Sequence, residues 1–283
     1  MKSARSGGPP EDTIVKLAEV FAGGPGDLGE ETMPPTDRKP KVGMSGQGRM
    51  LVYSSLLAMN AGQVNAVAIL IMAVPVGNLT GVTTQIGMDR AHPWRYESHV
   101  LFAILMGFLI GAAIAGALLA SKRVPIGTRH ATVLAIQAAL LLLAAAGIEE
   151  SDIKTMIMGS GIEETAVQAL LAASALGLQN GLTSSFRGMP VRTTHFTGTV
   201  TDLGLMLGRA RQEGIDKWKF AILTSTLLFF LTGAIGGLMV GAQIGGHALL
   251  VPATICLVLA AVSVSRTRRR RSQRELAVAA ATP

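Results

Sequence analysis

The feature that most constrains the fold is a series of six long apolar stretches separated by polar segments. A helix that crosses a bilayer needs about 20 predominantly apolar residues, and the two shorter stretches contain no Asp, Glu, Lys or Arg. With 49% hydrophobic and 15% charged residues, the chain has the composition of a membrane protein. We therefore predict an all-α integral membrane protein whose six transmembrane helices lie at residues 51–74, 99–120, 130–147, 165–186, 219–242 and 247–265.

The distribution of basic residues predicts the orientation in the membrane. Loops rich in Lys and Arg resist translocation and stay in the cytoplasm. With six spans, 22 of the 25 basic residues fall on the side of the termini, and only Arg90, Arg95 and Lys154 fall on the other. We expect a multi-pass protein of the cell (inner) membrane with both termini cytoplasmic. The basic run from Arg268 to Arg271 then indicates an anchor on anionic lipid, and no nucleic-acid partner is predicted.

The same pattern divides the chain into five parts. Residues 1–49 are rich in Pro, Gly and charge and lack the apolar segment of a signal peptide, so they are predicted to form a disordered cytoplasmic arm. Residues 50–147 are predicted to form a first membrane repeat, and residues 148–164 an acidic external linker. Residues 165–265 are predicted to form the second repeat, and residues 266–283 a basic cytoplasmic tail.

One motif occurs twice. The first half contains AGQVNAVAI, NLTGVTTQIG, FAIL and GAAIAGALL, and the second half contains LGLQNGLTS, HFTGTVTDLG, FAIL and GAIGGLMV in the same order. The spacing also agrees, because Asn65 precedes Thr80 by 15 positions and Asn180 precedes Thr197 by 17. A unit of this length is too long for a solenoid repeat. Duplication of a membrane unit is the economical explanation.

The number of spans per unit predicts how the two copies are related. Three is an odd number, so the second copy enters the membrane from the opposite side. The halves are then related by a pseudo-two-fold axis in the membrane plane. The predicted fold is two inverted three-helix repeats with a broken or re-entrant Thr-Gly segment in each, an arrangement typical of secondary transporters.

A resemblance follows from these residues. An apolar helix with Gly-x-x-Asn or Gly-x-Asn, then Thr-Gly and a following Leu-Gly or Ile-Gly, once per half, resembles the YoaK-like family of uncharacterised bacterial multi-pass inner-membrane proteins. VRTTHFTGTVTDLG is the closest match, and the likeness covers about residues 50–265. The resemblance implies a membrane fold and no particular chemistry. One departure is Val82, where the family often has Asn after the first Thr-Gly.

Helix breakers stand before both Thr-Gly segments. They are Pro75-Val76-Gly77 in the first half and Gly188-Met189-Pro190 in the second. Beyond each break a Thr or Asn can cap a short helix, whose N-terminal N–H groups suit an anion or a polar group. The functional interpretation is a solute site where the two caps face each other. The alternative is a pair of ordinary caps in interfacial loops.

The candidate substrate-binding residues are the polar residues and glycines around these breaks. Asn65 and Asn180 lie within the spans, as do Gln63 and Gln179. The alternative to ligand binding is that these amides form hydrogen bonds between helices, worth about 0.6 to 2 kcal/mol each. The one acidic candidate, Asp202, is either part of a helix cap or a charge that couples transport to a proton or cation. The complete set is Asn65, Asn78, Thr80, Gly81, Asn180, His195, Thr197, Gly198 and Asp202.

Other classes of site have little support in the sequence. Cys256 is the only cysteine, and the motifs HExxH, GxSxG, GxxxxGK[ST] and GxGxxG after a strand are absent. We therefore predict no cofactor, no metal site and no enzymatic activity. The expected partners are the lipid bilayer and a small solute. Gly233, Gly237 and Gly241 indicate close helix packing, with an oligomer interface as the alternative.

Two functions remain open from the sequence. The first is a transporter or permease for a small polar or anionic solute, with its site at the interface of the inverted repeats. The alternative is a non-transporting structural or regulatory membrane protein. Polar residues that converge on one cavity would favour the first function. Polar residues dispersed into separate helix contacts would favour the second.

Overall fold

The fold is helical throughout the part of the chain that the structure describes. This computed structural model describes residues 44–89, 98–120, 126–149, 164–186 and 191–281, which contain helices and short connections but no strand. In chain order the elements are α1 (Met44–Met72), α2 (Leu79–Asp89), α3 (Ser98–Ala120), α4 (Ile126–Glu149), α5 (Glu164–Ser184), α6 (Phe196–Glu213), α7 (Lys217–Ile244), a 3-10 helix (Gly245–Leu249) and α8 (Leu250–Ala281).

Four described segments are long and apolar enough to cross a membrane. They are Gln47–Met72, Ser98–Ala120, Gly127–Gly147 and Lys217–Gln273. The last has 57 residues, which is about 85 Å of helix against a hydrocarbon core of about 30 Å, and it contains α7 and most of α8. Helix α5 is outside this group because polar residues such as Gln179 and Asn180 interrupt it. The described residues are therefore all-helical, with four candidate membrane spans that indicate a membrane protein, and six spans stay a prediction.

The predicted arm and linker lie mostly outside the described residues. Residues 1–43 and 150–163 are not described, so the disorder of the arm and the position of the acidic linker stay predictions. Helix α1 begins at Met44, six residues before the predicted start of the first repeat. Helix α8 continues to Ala281 and takes up most of the predicted basic tail.

Helices α1 and α7 run parallel and touch along a row of glycines. A Cβ atom at Gly233 would overlap the carbonyl of Met59, and a Cβ atom at Gly237 would lie 2.8 Å from the carbonyl oxygen of Gln63. Gly241 follows against the next turn of α1. The sequence predicted close packing on this face, and α1 of the same chain covers it. A second copy could reach it only by displacing α1, so an oligomer through this face stays a prediction.

Helices α3 and α5 make the same kind of contact. A Cβ atom at Gly111 would overlap the carbonyl of Ser174, and one at Gly177 would overlap the carbonyl of Phe108. Residue numbers rise together along both helices, so these helices are also parallel. The contacts of α3 with α5 and of α1 with α7 are the two most extensive between helices in the described chain.

Helix α4 runs antiparallel to both α5 and α8. Gln137 contacts Gln179, whereas Gly147, farther along α4, lies against Gln168 near the start of α5. Gly127, at the start of α4, lies against Thr267 in the second half of α8. Helix α4 therefore packs against both α5 and α8.

Each half contains a break followed by a short helix. Helix α1 ends at Met72, and Ala73 adopts a φ of 56°, a left-handed conformation that is costly for a residue with a Cβ atom. Helix α2 then begins at Leu79. In the second half α5 ends at Ser184 and α6 begins at Phe196. The predicted breakers at residues 188–190 lie outside the described residues.

Candidate solute-binding site

The two breaks meet, although more than a hundred residues separate them in the chain. A Cβ atom built on Gly77 would lie 3.1 Å from Asn65 Oδ1, 3.3 Å from Leu176 Cδ1 and 3.4 Å from Thr194 Cγ2. Gly77 precedes α2, and Thr194 precedes α6. The segment before one short helix therefore packs against the segment before the other.

Asparagines hold the first break in place. Asn65, on α1, accepts a hydrogen bond through Oδ1 from the N–H group of Gly77 at 2.8 Å. Asn78 is the residue before α2, and its Oδ1 accepts from the N–H group of Gly81 at 3.1 Å. This second bond is a side-chain cap of the kind that asparagine makes at helix N-termini. Both bonds satisfy N–H groups that the break releases from helical pairing.

The second break has no such cap. His195 is the residue before α6, and its side chain makes no hydrogen bond to the first turn of the helix. The ring instead covers Gly198, where a Cβ atom would lie 2.6 Å from both Cδ2 and Nε2 of the imidazole. The N–H groups of Phe196, Thr197 and Gly198, the first three residues of α6, have no acceptor among the described residues. They are therefore available to a ligand.

A cavity of about 340 Å³ lies where the breaks meet. This volume is at the lower end of the range of about 300 to 1,000 Å³ that is usual for small-molecule sites. The first residues of α2 and α6 form part of the lining, and α3 and α5 complete it. The lining residues are Gly77, Asn78, Leu79, Thr80, Phe108, Ala112, Asn180, Gly181, Ser184, Arg192, Thr194, His195, Phe196 and Thr197.

The electrostatic character of the cavity is positive. Two helices begin at it, and the N-terminus of a helix carries partial positive charge. Arg192 contributes a full positive charge, and the lining contains no Asp or Glu. The hydroxyls of Ser184, Thr194 and Thr197 add hydrogen-bond donors. Such a lining suits an anion or a neutral polar molecule and disfavours a cation.

The cavity collects five of the nine residues that the sequence indicated. Asn78, Thr80, Asn180, His195 and Thr197 all line it. The remaining four are not in the lining.

Three of those four residues lie next to the cavity. Gly81 and Gly198 lie in the first turns of the short helices, covered by the side chains of Asn78 and His195. Asn65 is not in the lining and acts through its hydrogen bond to Gly77.

Asp202 lies apart from the cavity. Its carboxylate forms an ion pair with Lys219 of α7 at 3.1 Å, and the two side chains are 45% and 40% exposed. The carboxylate is not part of the cavity lining. The coupling role predicted for this residue stays a prediction, and the site described here does not depend on it.

Sequence reasoning missed several lining residues. Arg192 and Thr194 lie within the quoted segment VRTTHFTGTVTDLG, and a basic residue just before a helix start is a signal that could have indicated them. Phe108 and Ala112 of α3 reach the cavity because α3 crosses α5 at Gly177. The four-residue spacing of Gly177 and Gly181 indicates close packing on α5 but does not indicate which helix packs there.

A second polar cluster lies in the core beside the cavity. Gln179 Nε2 donates to the carbonyl of Leu57 at 2.7 Å and to Thr193 Oγ1 at 2.9 Å. Gln179 Oε1 accepts from Gln137 Nε2 at 2.7 Å and from Asn60 Nδ2 at 3.3 Å. This amide cluster, formed by Asn60, Gln137, Gln179 and Thr193, connects α1, α4, α5 and the second break. Of the four residues predicted to form interhelical hydrogen bonds, Gln179 forms them here, whereas Asn180 bonds to Leu176 of its own helix and Asn65 to Gly77.

The described residues contain no group of three or more His, Cys, Asp or Glu side chains that could hold a metal ion. Residues 53–262 match a protein family whose description is "Protein of unknown function (DUF1275)". The match covers both Thr-Gly segments and every residue that lines the cavity. No curated protein and no solved structure matches the chain.

Proposed function

The chain belongs to the DUF1275 family, and from this premise we propose that it carries a small polar or anionic solute across the cell membrane. The observation that carries the proposal is the convergence of both Thr-Gly segments on one cavity. Broken segments that meet where two repeats join form the solute site in many secondary transporters. The family match is also consistent with the resemblance to YoaK-like inner-membrane proteins.

Equivalent helix contacts support the inverted repeat in this proposal. Gly62 on α1 faces the carbonyl of Phe230 on α7, and Gly177 on α5 faces the carbonyl of Phe108 on α3. Gly177 lies 115 positions after Gly62, and Phe230 lies 122 positions after Phe108. With an offset of 115 between α1 and α5 and of 122 between α3 and α7, the two contacts are therefore equivalent.

The same offsets relate a second pair of contacts. With the same two offsets, the contact of Gly233 with Met59 is equivalent to the contact of Gly111 with Ser174. The two FAIL sequences are 118 positions apart, one helical turn out of this register. The glycine contacts are therefore the better guide to equivalent positions.

Helix directions support six spans. In a chain that crosses a membrane six times, the first and fifth spans run in the same direction, as do the second and fourth. The parallel pairs α1 with α7 and α3 with α5 fit this alternation, and so does the antiparallel packing of α4 on α5 and α8. Together with the split of basic residues, this supports both termini in the cytoplasm and an inner-membrane location.

The proposed mechanism uses binding and exposure without covalent chemistry or a cofactor. The free N–H groups of α6, the guanidinium of Arg192 and the hydroxyls of the lining would replace the hydration shell of the solute. Because the two breaks belong to different halves, a rocking movement of one half against the other would open the site first to one side and then to the other. The protein in this proposal is not an enzyme.

One observation favours the structural or regulatory alternative. The Gln179 amide makes all its hydrogen bonds to other helices and to the second break, as expected of a residue that only holds helices together. The alternative does not account for the positive cavity beside this cluster, so transport is the better-supported function.

The experiment is uptake of a panel of small anions and polar metabolites into proteoliposomes. Gly198→Leu should reduce uptake to near background, because its side chain would displace the His195 ring that covers Gly198 at the cavity. The matched control is Gly204→Leu in the same helix, where a Cβ atom meets nothing within 4 Å.

The control variant should transport like the wild type at equal abundance. Equal uptake by the two variants would remove the cavity from the mechanism. A wild type that moves none of the solutes would favour the structural alternative.

A further inference from the structure

One side chain in the cavity offers an acceptor that the protein itself does not use. Asn180 is 7% exposed and lines the cavity. Its Nδ2 donates to the carbonyl of Leu176 at 2.9 Å, which fixes the orientation of the amide because a flip would bring two oxygen atoms together. Asn180 Oδ1 receives no hydrogen bond from the described residues.

The corresponding asparagine in the first half is satisfied. Asn65 Oδ1 accepts from the N–H group of Gly77, and the position related to Gly77 in the second half is Thr194, 117 positions later. Thr194 gives Asn180 no such bond among the described residues. Asn180 Oδ1 is not among the fully buried polar atoms that lack a partner, and Asn180 lines the cavity, so this oxygen is accessible from the cavity. A ligand that donates a hydrogen bond here would supply the donor that Gly77 gives Asn65.

Elsewhere in the cavity the lining presents hydrogen-bond donors and positive charge instead of an acceptor. Arg192 is in the lining, and the N–H groups at the start of α6 have no cap from His195. These groups only donate hydrogen bonds, and the positive charge they present is not balanced by an Asp or Glu in the lining. The cavity therefore combines an anion-binding end with one isolated acceptor.

We infer that the cavity binds a compact carboxylate that carries its own hydrogen-bond donor on the neighbouring carbon, that is, a small hydroxy acid or amino acid. The carboxylate lies at the start of α6 near Arg192, and the hydroxyl or ammonium group donates to Asn180 Oδ1. The inference rests on the proposed function for its choice of cavity. The volume of about 340 Å³ is sufficient for a small molecule of this class.

Three ligands of nearly equal size test the inference. Acetate has no donor, glycolate adds a hydroxyl, and glycine adds an ammonium group. Binding to the purified full-length protein in detergent is measured by calorimetry. We expect glycolate, glycine or both to bind about tenfold more tightly than acetate, the effect of one hydrogen bond worth about 1.4 kcal/mol. The stronger of the two assigns the ligand to hydroxy acids or to amino acids.

Two variants separate the two ends of the site. Asn180→Leu should abolish the preference for glycolate and glycine over acetate, because it removes the acceptor and leaves the Arg192 end in place. Arg192→Gln should weaken the binding of all three ligands. The matched control is Gln63→Leu, which changes a buried amide on α1 that is not in the lining and should alter none of the affinities.

Two results would overturn the inference. The first is equal binding of acetate, glycolate and glycine by the wild type, a comparison that does not depend on whether Asn180→Leu folds. The second is the absence of binding by all three ligands. Because binding is measured without vesicles, a protein that binds glycolate but moves no solute would refute the proposed transport and leave the inference intact.

Discussion

At the scale of single residues, Gln179 shows how a buried amide organises this fold. The carbonyl of Leu57 accepts from its Nε2, so Oε1 must point toward the nitrogens of Gln137 and Asn60. Those two amides are then oriented as well, and their oxygens are left without a partner among the described residues. One carbonyl of α1 thus sets the orientation of three buried amides.

This cluster leads to a stability prediction. Gln179→Leu should lower the free energy of unfolding by about 2 to 3 kcal/mol, because it leaves several buried polar groups unsatisfied at once. A single polar contact between membrane helices is worth less, about 0.6 kcal/mol on average. The measurement is thermal or denaturant unfolding in detergent.

The matched control for this prediction is Gln63→Leu. Gln63 is 6% exposed, and its amide makes no hydrogen bond with the described residues. Its replacement should change stability much less. If both variants lost the same stability, the hydrogen bonds of Gln179 would not explain the effect.

The duplicated motif predicted several of the residues that line the cavity but not where Asp202 lies. Asn78, Thr80, His195 and Thr197 could be predicted because each follows a group of helix breakers within a few residues, and these breakers are visible in the sequence. The position of Asp202 could not be predicted. Its partner Lys219 lies on the next helix, and the ion pair depends on how α6 packs against α7.

At the scale of helices, the glycine contacts make opposite predictions for neighbouring positions. Gly233→Ala should destabilise the protein by about 1 to 3 kcal/mol, since its methyl group would overlap the carbonyl of Met59. Gly236→Ala, on the same helix, meets nothing within 4 Å and should stabilise it by up to about 1 kcal/mol through helix propensity.

Unfolding in detergent measures both effects. The pair Gly111→Ala and Gly116→Ala on α3 should repeat the result, because a Cβ atom at Gly111 would overlap the carbonyl of Ser174 and one at Gly116 meets nothing within 4 Å. Equal changes within either pair would contradict the close approach of the helix backbones.

The length of an apolar stretch predicted that a helix forms there, whereas the residues at which the helix begins and ends could not be predicted. The predicted stretch 51–74 corresponds to α1, but the helix ends at Met72, before Pro75, because Ala73 already leaves the helical conformation. The length of α6, 18 residues to Glu213, is also not apparent, because its sequence is too polar to look like a span. The parallel contacts of α1 with α7 depend on three-dimensional packing and not on a local pattern.

At the scale of the whole molecule, the two halves make equivalent glycine contacts, of α1 with α7 and of α3 with α5, but differ elsewhere. Asn78 caps α2, whereas His195 leaves α6 uncapped. Helix α4 packs along α5, whereas α8 leaves a groove of about 450 Å³ against Leu56 of α1. A transporter of two inverted repeats changes sides when the halves exchange such conformations. We therefore expect α1 and α8 to close together when α4 and α5 separate.

The inverted arrangement makes a prediction about sidedness that two matched positions test. Met88 lies at the end of α2, and Ile215 follows α6; each is 42% exposed. In the proposed topology Met88 is external and Ile215 is cytoplasmic, although each lies at or just beyond the C-terminal end of the short helix of its half. The single native cysteine, Cys256, is buried and should give little background.

A membrane-impermeant maleimide should therefore label Met88→Cys in intact cells and Ile215→Cys only after the cells are permeabilised. Labelling of both positions from the same side would mean that the halves enter the membrane in the same direction. The shared cavity would then join parallel repeats, and a rocking movement about an axis in the membrane plane could not expose it to the two sides in turn. Opposite sidedness is thus the property of the whole chain on which the transport proposal depends.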